Sequence, residues 1–168
     1  ADVASVNIAP DPGVSNFVTT GGNDVTRFMP TAGGEYRYPF INIQSWGTQT
    51  IEPIAQGIVR PNETGIGSLP NEDSQSFAFD ASNLFRVNKY AGWDRVEGGG
   101  RANVGVQATT QFDPGGSINF LFGQSYQLFG MNSFAVADAT NTGLDSGLAR
   151  QKSDYVAKLS YSPNRTYT

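Results

Sequence analysis

The chain of 168 residues contains no cysteine and no histidine. Without cysteine there are no disulfides, thiolate nucleophiles or sulfur-ligated metals, and the redox compartment stays undecided. Without histidine the commonest general base and metal ligand is gone. Much enzyme chemistry is thereby closed off, and no enzyme is expected. Positive charge is also in short supply: 11 Lys and Arg against 15 Asp and Glu leave a net charge of −4. Binding to nucleic acid needs a basic face, so no nucleic-acid partner is expected. Long apolar runs are missing as well. None approaches the ~18 residues of a transmembrane helix. A membrane β-barrel stays open, because its strands show lipid only every second residue and carry a weak hydropathy signal.

What the chain does have is glycine, 20 residues of it, aromatics at 12% and a strict alternation. In "GGGRANVGVQATTQFDPGGSINFLFGQSYQL", Ala102, Val104, Val106, Ala108 and Phe112 fall on one parity. Arg101, Asn103, Gln107, Thr109 and Gln111 fall on the other. Beyond "DPGG", Ile118, Phe120, Phe122, Tyr126 and Leu128 resume the apolar parity, with Gln124 and Leu121 as the exceptions. Period two means strand. Asp113-Pro114-Gly115-Gly116 suits a type I turn with Pro second, followed by a left-handed Gly. That turn predicts Phe112 opposite Ile118, with the apolar residues of both strands on one face. Each run is about twelve residues, twice the usual five or six. About ten residues suffice for a tilted strand to cross a bilayer. A soluble β-sandwich would show the same alternation.

Other stretches repeat the pattern. "TRFMPTAGGEYRYPF" and "SDYVAKLSYSPNR" alternate, while "GTQTIEPIAQGIVRP" is strand-like with Pro53 in its middle, where the ladder should weaken or bulge. Connections alternate in length. Short turns are expected at Asp113–Gly116, at Pro163-Asn164 and around Pro39–Trp46; long polar segments run over Pro10–Asp24, Pro61–Gly100 and Phe129–Lys152. Short turns at one end and long loops at the other are how outer-membrane barrels are built. Aromatics gather near the short ends, at Tyr36, Tyr38, Phe40, Phe112 and Tyr161, where an interfacial girdle would sit. The expected fold is all-β: a segment of an antiparallel transmembrane β-barrel with short periplasmic turns and long extracellular loops. Roughly six to eight strands are expected. Residues 1–168 read as one partial domain of a larger barrel, since the pattern starts and stops in mid-course.

In that fold Val104, Val106, Ile118, Phe120, Phe122, Tyr155 and Leu159 face lipid. Arg27, Glu35, Arg37, Glu52, Gln56, Arg101, Asn103, Gln107, Gln111, Asp154 and Lys158 line a wide, wet lumen of mixed sign. In a soluble sandwich the second group would be a solvated outer face. "EGGGRANVG" precedes a strand and matches neither phosphate-binding glycine pattern, so its glycines are expected to let a loop enter the barrel. "LPNEDSQSFAFD" offers Glu72, Asp73 and Asp80, oxygens of the kind calcium uses, but in no known spacing. Solvated loop charge is the expectation there. "DASNLF" could open a short helix capped by Asp80 or Ser82. No catalytic, cofactor-binding or metal-binding residue is assigned, and no cofactor is expected.

Several stretches in order carry a resemblance: "RFMPTAGGEYRYPF", "TIEPIAQGIVRPNETGIGSLPNEDSQSFAFDASNLF", "YAGWDRVEGGGRANVGVQ", "FGQSYQLFGMNSF", "NTGLDSGL" and "SDYVAKLSYSPN". Together, from about Arg27 to the end, they resemble a middle portion of the barrel of the lipopolysaccharide-assembly outer-membrane family LptD, the organic solvent tolerance family, with an alphaproteobacterial flavour. The resemblance implies a very large barrel in the outer membrane of a Gram-negative bacterium, preceded by a periplasmic jellyroll that receives lipopolysaccharide from a periplasmic bridge protein. It further implies release into the outer leaflet, contact with outer-membrane lipid and a lipoprotein plug in the lumen, with no covalent chemistry. The alternatives are another outer-membrane barrel, a porin or receptor, and a soluble β-sandwich binding module.

Overall fold

The computed structural model describes residues 2–6, 23–66, 71–74, 77–137 and 141–163. Within them the chain is all-β and antiparallel, with a single 3-10 turn at Ser133–Ala135. The strands are β1 (Asp2–Val6), β2 (Asn23–Arg27), β3 (Ala32–Arg37), β4 (Phe40–Gln44), β5 (Gly47–Arg60), β6 (Gly99–Phe112), β7 (Ser117–Phe129) and β8 (Val156–Ser162). β1 and β2 pair with each other. The rest form one open six-stranded sheet in the order β3-β5-β6-β7-β8, with β4 also on β5.

β3 and β4 continue a single register along β5: Arg37 faces Ile54 and Phe40 faces Ile51. They are one line of chain interrupted at Tyr38-Pro39. The Tyr38 N–H donates to the Pro53 carbonyl at 3.3 Å. In an antiparallel ladder both backbone groups of a residue point to the same side. The donor that Pro53 lacks is therefore missing on the sheet's edge, not towards β6. This corrects the expected weakness of the Pro53 strand. β5 runs unbroken for 14 residues and stays in register with β6 from Gly47↔Phe112 to Arg60↔Gly99. The interruption falls on the edge partner, where proline is tolerated.

Three further expectations need correction. The segment around Pro39–Trp46 is no mere turn, since Phe40–Gln44 is a strand and the turn is Ser45-Trp46 alone. The stretch read as one strand over 26–40 divides, because β2 ends at Arg27 and pairs with β1 whereas β3 begins at Ala32. β8 begins at Val156; Asp154 and Tyr155 precede it, and the Asp154 N–H bonds to the Gly147 carbonyl at 2.9 Å. Asn164 and residues 10–22 of the expected first loop lie outside the described residues.

The β6–β7 hairpin also pairs two residues away from expectation, with Thr110 opposite Ile118. The turn closes one residue early: the Gly115 N–H reaches the Phe112 carbonyl at 2.9 Å, and the Phe112 N–H reaches Gly116 at 3.0 Å. Gly115 and Gly116 both hold positive φ, at 102° and 94°, which a side chain would resist. A slip of two leaves every side chain on its expected face. Short turns lie together at one end of the sheet, tied by the Asp113 N–H to the Trp46 carbonyl at 3.1 Å. At the other end, the described residues of 61–98 and 130–150 fold back over one face.

The two faces differ in kind. On the bare face Phe40, Ile51, Phe120, Leu159 and Tyr161 stand exposed, Leu159 at 71%. The core lies beneath the loops on the covered face. Ala81, Leu84 and Val156 pack with Phe79, Phe85 and Leu121; Tyr90, Phe134 and Leu148 pack with Phe77 and Phe79. Leu121 broke the sequence pattern because it belongs to this core. Gln124 broke it because the segment before β8 buries it, with its amide donating to the Ser153 carbonyl at 2.6 Å. Gly105 faces Gly123 across β6 and β7. A Cβ on Gly123 would sit 2.5 Å from both the Val104 carbonyl oxygen and Leu84 Cδ2. The loop therefore rests almost on bare backbone. Gly123→Ala should cost about 1–3 kcal/mol by overpacking. Gly57→Ala, with nothing within 4 Å of the added carbon, should stay within about 0.5 kcal/mol. Denaturant titration of the full-length protein checks this, and equal effects of the two changes would contradict it.

Candidate functional site: the covered face and its buried charges

The lumen-directed residues of the sequence reading divide into two groups. Nearest the open edge, Arg37 is exposed and pairs with Glu35 at 2.6 Å and with Glu52 at 3.0 Å. Next to them Gln56 is buried: its Nε2 donates to Glu35 at 2.8 Å and to the Phe85 carbonyl at 2.9 Å, while its Oε1 accepts from Asn103 at 2.7 Å. Asn103 is fully buried and accepts from Ser125 Oγ at 2.6 Å. Arg101, also buried, meets Glu97 at 2.8 Å, donates to Ser125 and Asn132, and lies over the Phe134 ring at 5.2 Å. Arg27 arrives from β2, outside the large sheet, and is buried against the Trp93 and Asp94 carbonyls and 3.7 Å from Glu63. These four residues lie under the loops rather than beside open water.

Towards the turn end the covered face changes. The ladder sets Gln107 opposite Glu52 and Leu121, and Gln111 opposite Thr48 and Ser117. Gln111 and Lys158 are exposed, and Asp154 is exposed just ahead of β8. On the opposite, bare face the ladder places Val104, Val106, Ile118, Phe120, Phe122 and Leu159. Tyr155 stacks on Phe122 with centroids 5.5 Å apart.

Sequence reasoning missed the acids that organise the loop end. Glu63 is buried, with Oε1 accepting from the Val96 N–H at 3.1 Å and sitting 3.4 Å from Arg95 Nε. Glu97 is buried between Arg101 and Lys89, and its Oε1 accepts from the Lys89 N–H at 2.5 Å. Among the described residues the buried cations are Arg27, Arg60, Lys89, Arg95 and Arg101, against the carboxylates Glu63 and Glu97. Backbone carbonyls make up part of the deficit. Arg60 donates to Val87 and Glu97 carbonyls and to Thr31 Oγ1 at 2.8 Å; Arg95 donates to the Ser133 carbonyl at 2.9 Å. Aromatic faces add to it. Arg95 lies 4.9 Å over Tyr90, and Tyr90 stacks on Phe134 at 4.5 Å, with Arg101 over Phe134. Cation, ring, ring and cation thus bind the 61–98 loop, the 130–155 loop and β6 together. No periodic pattern marks these loop residues, so the sequence carried no signal for them.

The glycines of "EGGG" serve close approach. Gly99 holds φ 76°, and a Cβ on Gly100 would meet the Phe129 ring at 2.3 Å. "DASNLF" forms consecutive turns and no helix. Asp80 Oδ1 accepts from the Ser82 N–H and hydroxyl, a local closure that competes with helix. Asp73 and Asp80, two of the calcium-type carboxylates, are engaged by neighbouring N–H and hydroxyl donors. Asp73 accepts from the Trp93 and Asp94 N–H groups at 2.8 and 3.0 Å, and Asp94 accepts from Glu72 and Asp73 N–H groups. Among the described residues no three acidic side chains gather as metal ligands.

A sequence model of the family described as LPS transport system D, LptD, matches residues 9–168. The chain belongs to the LptD family. It is 37% identical over 93 residues to the LPS-assembly protein LptD of Haemophilus influenzae, in each of two strains. It is 36% identical over 92 residues to the protein of that name from Pasteurella multocida. Each match covers 48% of this chain and 12% of the relative.

Two predictions follow from the loop electrostatics. Glu63→Ala leaves Arg27 and Arg95 buried without their carboxylate and should cost about 3–5 kcal/mol. Urea midpoints of the full-length protein measure it, and an unchanged midpoint would contradict the role. Burial pushes the Asp73 carboxyl up, but bonds from Trp93, Asp94 and Ser74 pull harder and hold it below its ordinary 3.8. A depressed carboxylate stabilises the loop above its unfolded pKa and loses that contribution as pH falls through the folded one. Pepsin should therefore begin to cut within 71–94 only below about pH 4, whereas Asp73→Asn should be cut throughout pepsin's range.

Proposed function

We propose that this chain is a portion of an outer-membrane β-barrel that assembles lipopolysaccharide into the outer leaflet. Residues 1–168 form part of one larger barrel domain in this reading. The observation that carries it is the pairing of LptD family membership with a sheet face that stands uncovered and largely apolar through β5, β6, β7 and β8. Such a face on a soluble chain would be an aggregation hazard or a docking site; against lipid it needs no partner. β5 and β6 each have 14 residues, more than the roughly ten a tilted strand needs to span a bilayer.

In this arrangement Val104, Val106, Ile118, Phe120, Phe122, Tyr155 and Leu159 contact lipid. Gln107, Gln111, Glu52 and Lys158 line the lumen, and Arg27, Gln56, Arg101 and Asn103 anchor the loops that roof it. The turn end is periplasmic and the loop end extracellular. Trp46 and Phe112, with centroids 6.1 Å apart at the turn end, then lie near one membrane interface, where amphipathic rings are favoured, whereas Tyr36 and Phe40 sit opposite Ala55 and Ile51 in the middle of β5 and not in such a girdle. Partners of the parent barrel are lipopolysaccharide, outer-membrane lipid, a lipoprotein plug and a periplasmic bridge protein. The work is transport and insertion, with no covalent step.

Neighbouring residues on β6 test the reading. Arginine on the lipid side of a barrel at mid-membrane costs roughly 2–4 kcal/mol, whereas lumen substitutions leave assembly largely intact. Val106→Arg should sharply reduce assembled protein, and Gln107→Arg should not. A photoreactive residue at Gln107 should give a lipopolysaccharide adduct in living cells. Val106→Arg at normal levels removes the membrane assignment, while an assembled barrel without that adduct points to a porin or receptor instead.

A further inference from the structure

The buried cations differ in how well they are held. Arg27, Arg60, Arg95 and Arg101 each donate to carbonyl or side-chain oxygens. Lys89 does not. Its side chain has no exposed surface, yet its Nζ has no hydrogen-bond acceptor among the described residues. The nearest carboxylate, Glu97 Oε1, is 3.9 Å away. That oxygen already accepts from the Lys89 N–H, and its partner Oε2 is 2.8 Å from Arg101. An ammonium carries three donors that water would satisfy outside. Closing the loops over Lys89 therefore strips its hydration and replaces it with one distant, shared charge.

The position makes this consequential. Lys89 sits beside Tyr90, whose ring stacks on Phe134 and joins the two long loops. The charged groups facing it are Glu97 from the end of its own loop, Arg101 from β6 and Arg60 from β5. The two arginines keep their charge at any accessible pH; among the three cations, Lys89 is the one whose charge can be given up.

We propose that Lys89 is a proton-linked latch: the loops close most firmly over the covered face when its side chain is neutral, and its protonation favours their release. The structural basis is the buried, acceptorless ammonium at the junction of both loops. This goes beyond the transport reading and does not depend on it.

Burial, only partly offset by Glu97, lowers the Lys89 pKa from 10.5 to about 8 in the closed loops. On opening it regains its ordinary value. Between these two values opening takes up a proton, so rising pH favours closure, and below about 8 the balance is level. Hydrogen exchange of the full-length protein, corrected for the intrinsic rate at each pH, reads the opening equilibrium at peptides covering 79–90 and 132–136. From pH 7.5 to 9.5 protection there should rise about twentyfold, given closed and open values of about 8 and 10.5. Peptides from the centre of β6 should not change. Lys89→Met should be strongly protected at both pH values, and Lys89→Arg weakly protected at both. Flat protection in the unaltered protein overturns the latch. So does a pH-dependent rise that survives in Lys89→Met, since another group would then be responsible.

Discussion

Everything in this molecule depends on the antiparallel ladder keeping phase across the sheet. From β5 to β8 directly paired residues share a face, so one face collects most of the exposed apolar side chains and the other most of the polar ones; β4 is the exception, with Ile41 and Ile43 opposite Thr50 and Thr48 on the polar side. A slip of one residue in any strand would exchange the two sets. Two departures from regularity preserve the faces. The chain breaks at Tyr38-Pro39 without changing register against β5. The Asp113–Gly116 turn pairs two residues from the simplest expectation rather than one. At the loop end, where the loops cross back, the β6–β7 register does shift, at Gly100/Arg101.

An uncovered apolar face leaves the sheet to find its packing on the other side. The loops provide it, but with few apolar residues: two small clusters centred on Leu84 and Phe134. The remainder of the contact is electrostatic and hydrogen-bonded. Buried charge is costly unless it is paired and its remaining donors satisfied. The structure meets that requirement unevenly, with two carboxylates shared among several guanidinium groups, carbonyl oxygens turned inward and aromatic faces beneath two arginines. Glycines at 105 and 123 let Phe85 and Leu84 come down onto the strand backbone. A loop assembly held this way is specific in geometry and sensitive to any single missing partner.

Sequence patterning revealed the sheet better than its covering. The β6–β7 hairpin, the two faces and the division into short and long ends were legible because period two is a direct image of the strand. β4 was not, because Pro39 and the "SWG" turn surround a five-residue strand and look like one connection. The interruption expected at Pro53 appears one strand over, since only the side on which the missing donor falls decides whether a ladder suffers. Glu63, Lys89, Arg95 and Glu97 left no trace. Loop residues have no period, and a buried acid reads the same as a solvated one. Leu121 and Gln124 were the visible hints: each broke its strand's parity, and each marks a place where loop chain lies on the sheet.

A polar covering has a physical advantage over an apolar one. A purely apolar lining would hold the loops more cheaply, because burying paired ions rarely gains over well-packed hydrophobic groups. It would also leave, on any opening, an apolar surface with nothing to cover it. The covered face here exposes amides, hydroxyls and charges that water can solvate at once. Such a polar covering costs stability when shut and little when open, while the bare apolar side of the same strands has no covering to release. One sheet can thus carry a permanent face and a reversible one, and the alternation in the sequence is what keeps them apart.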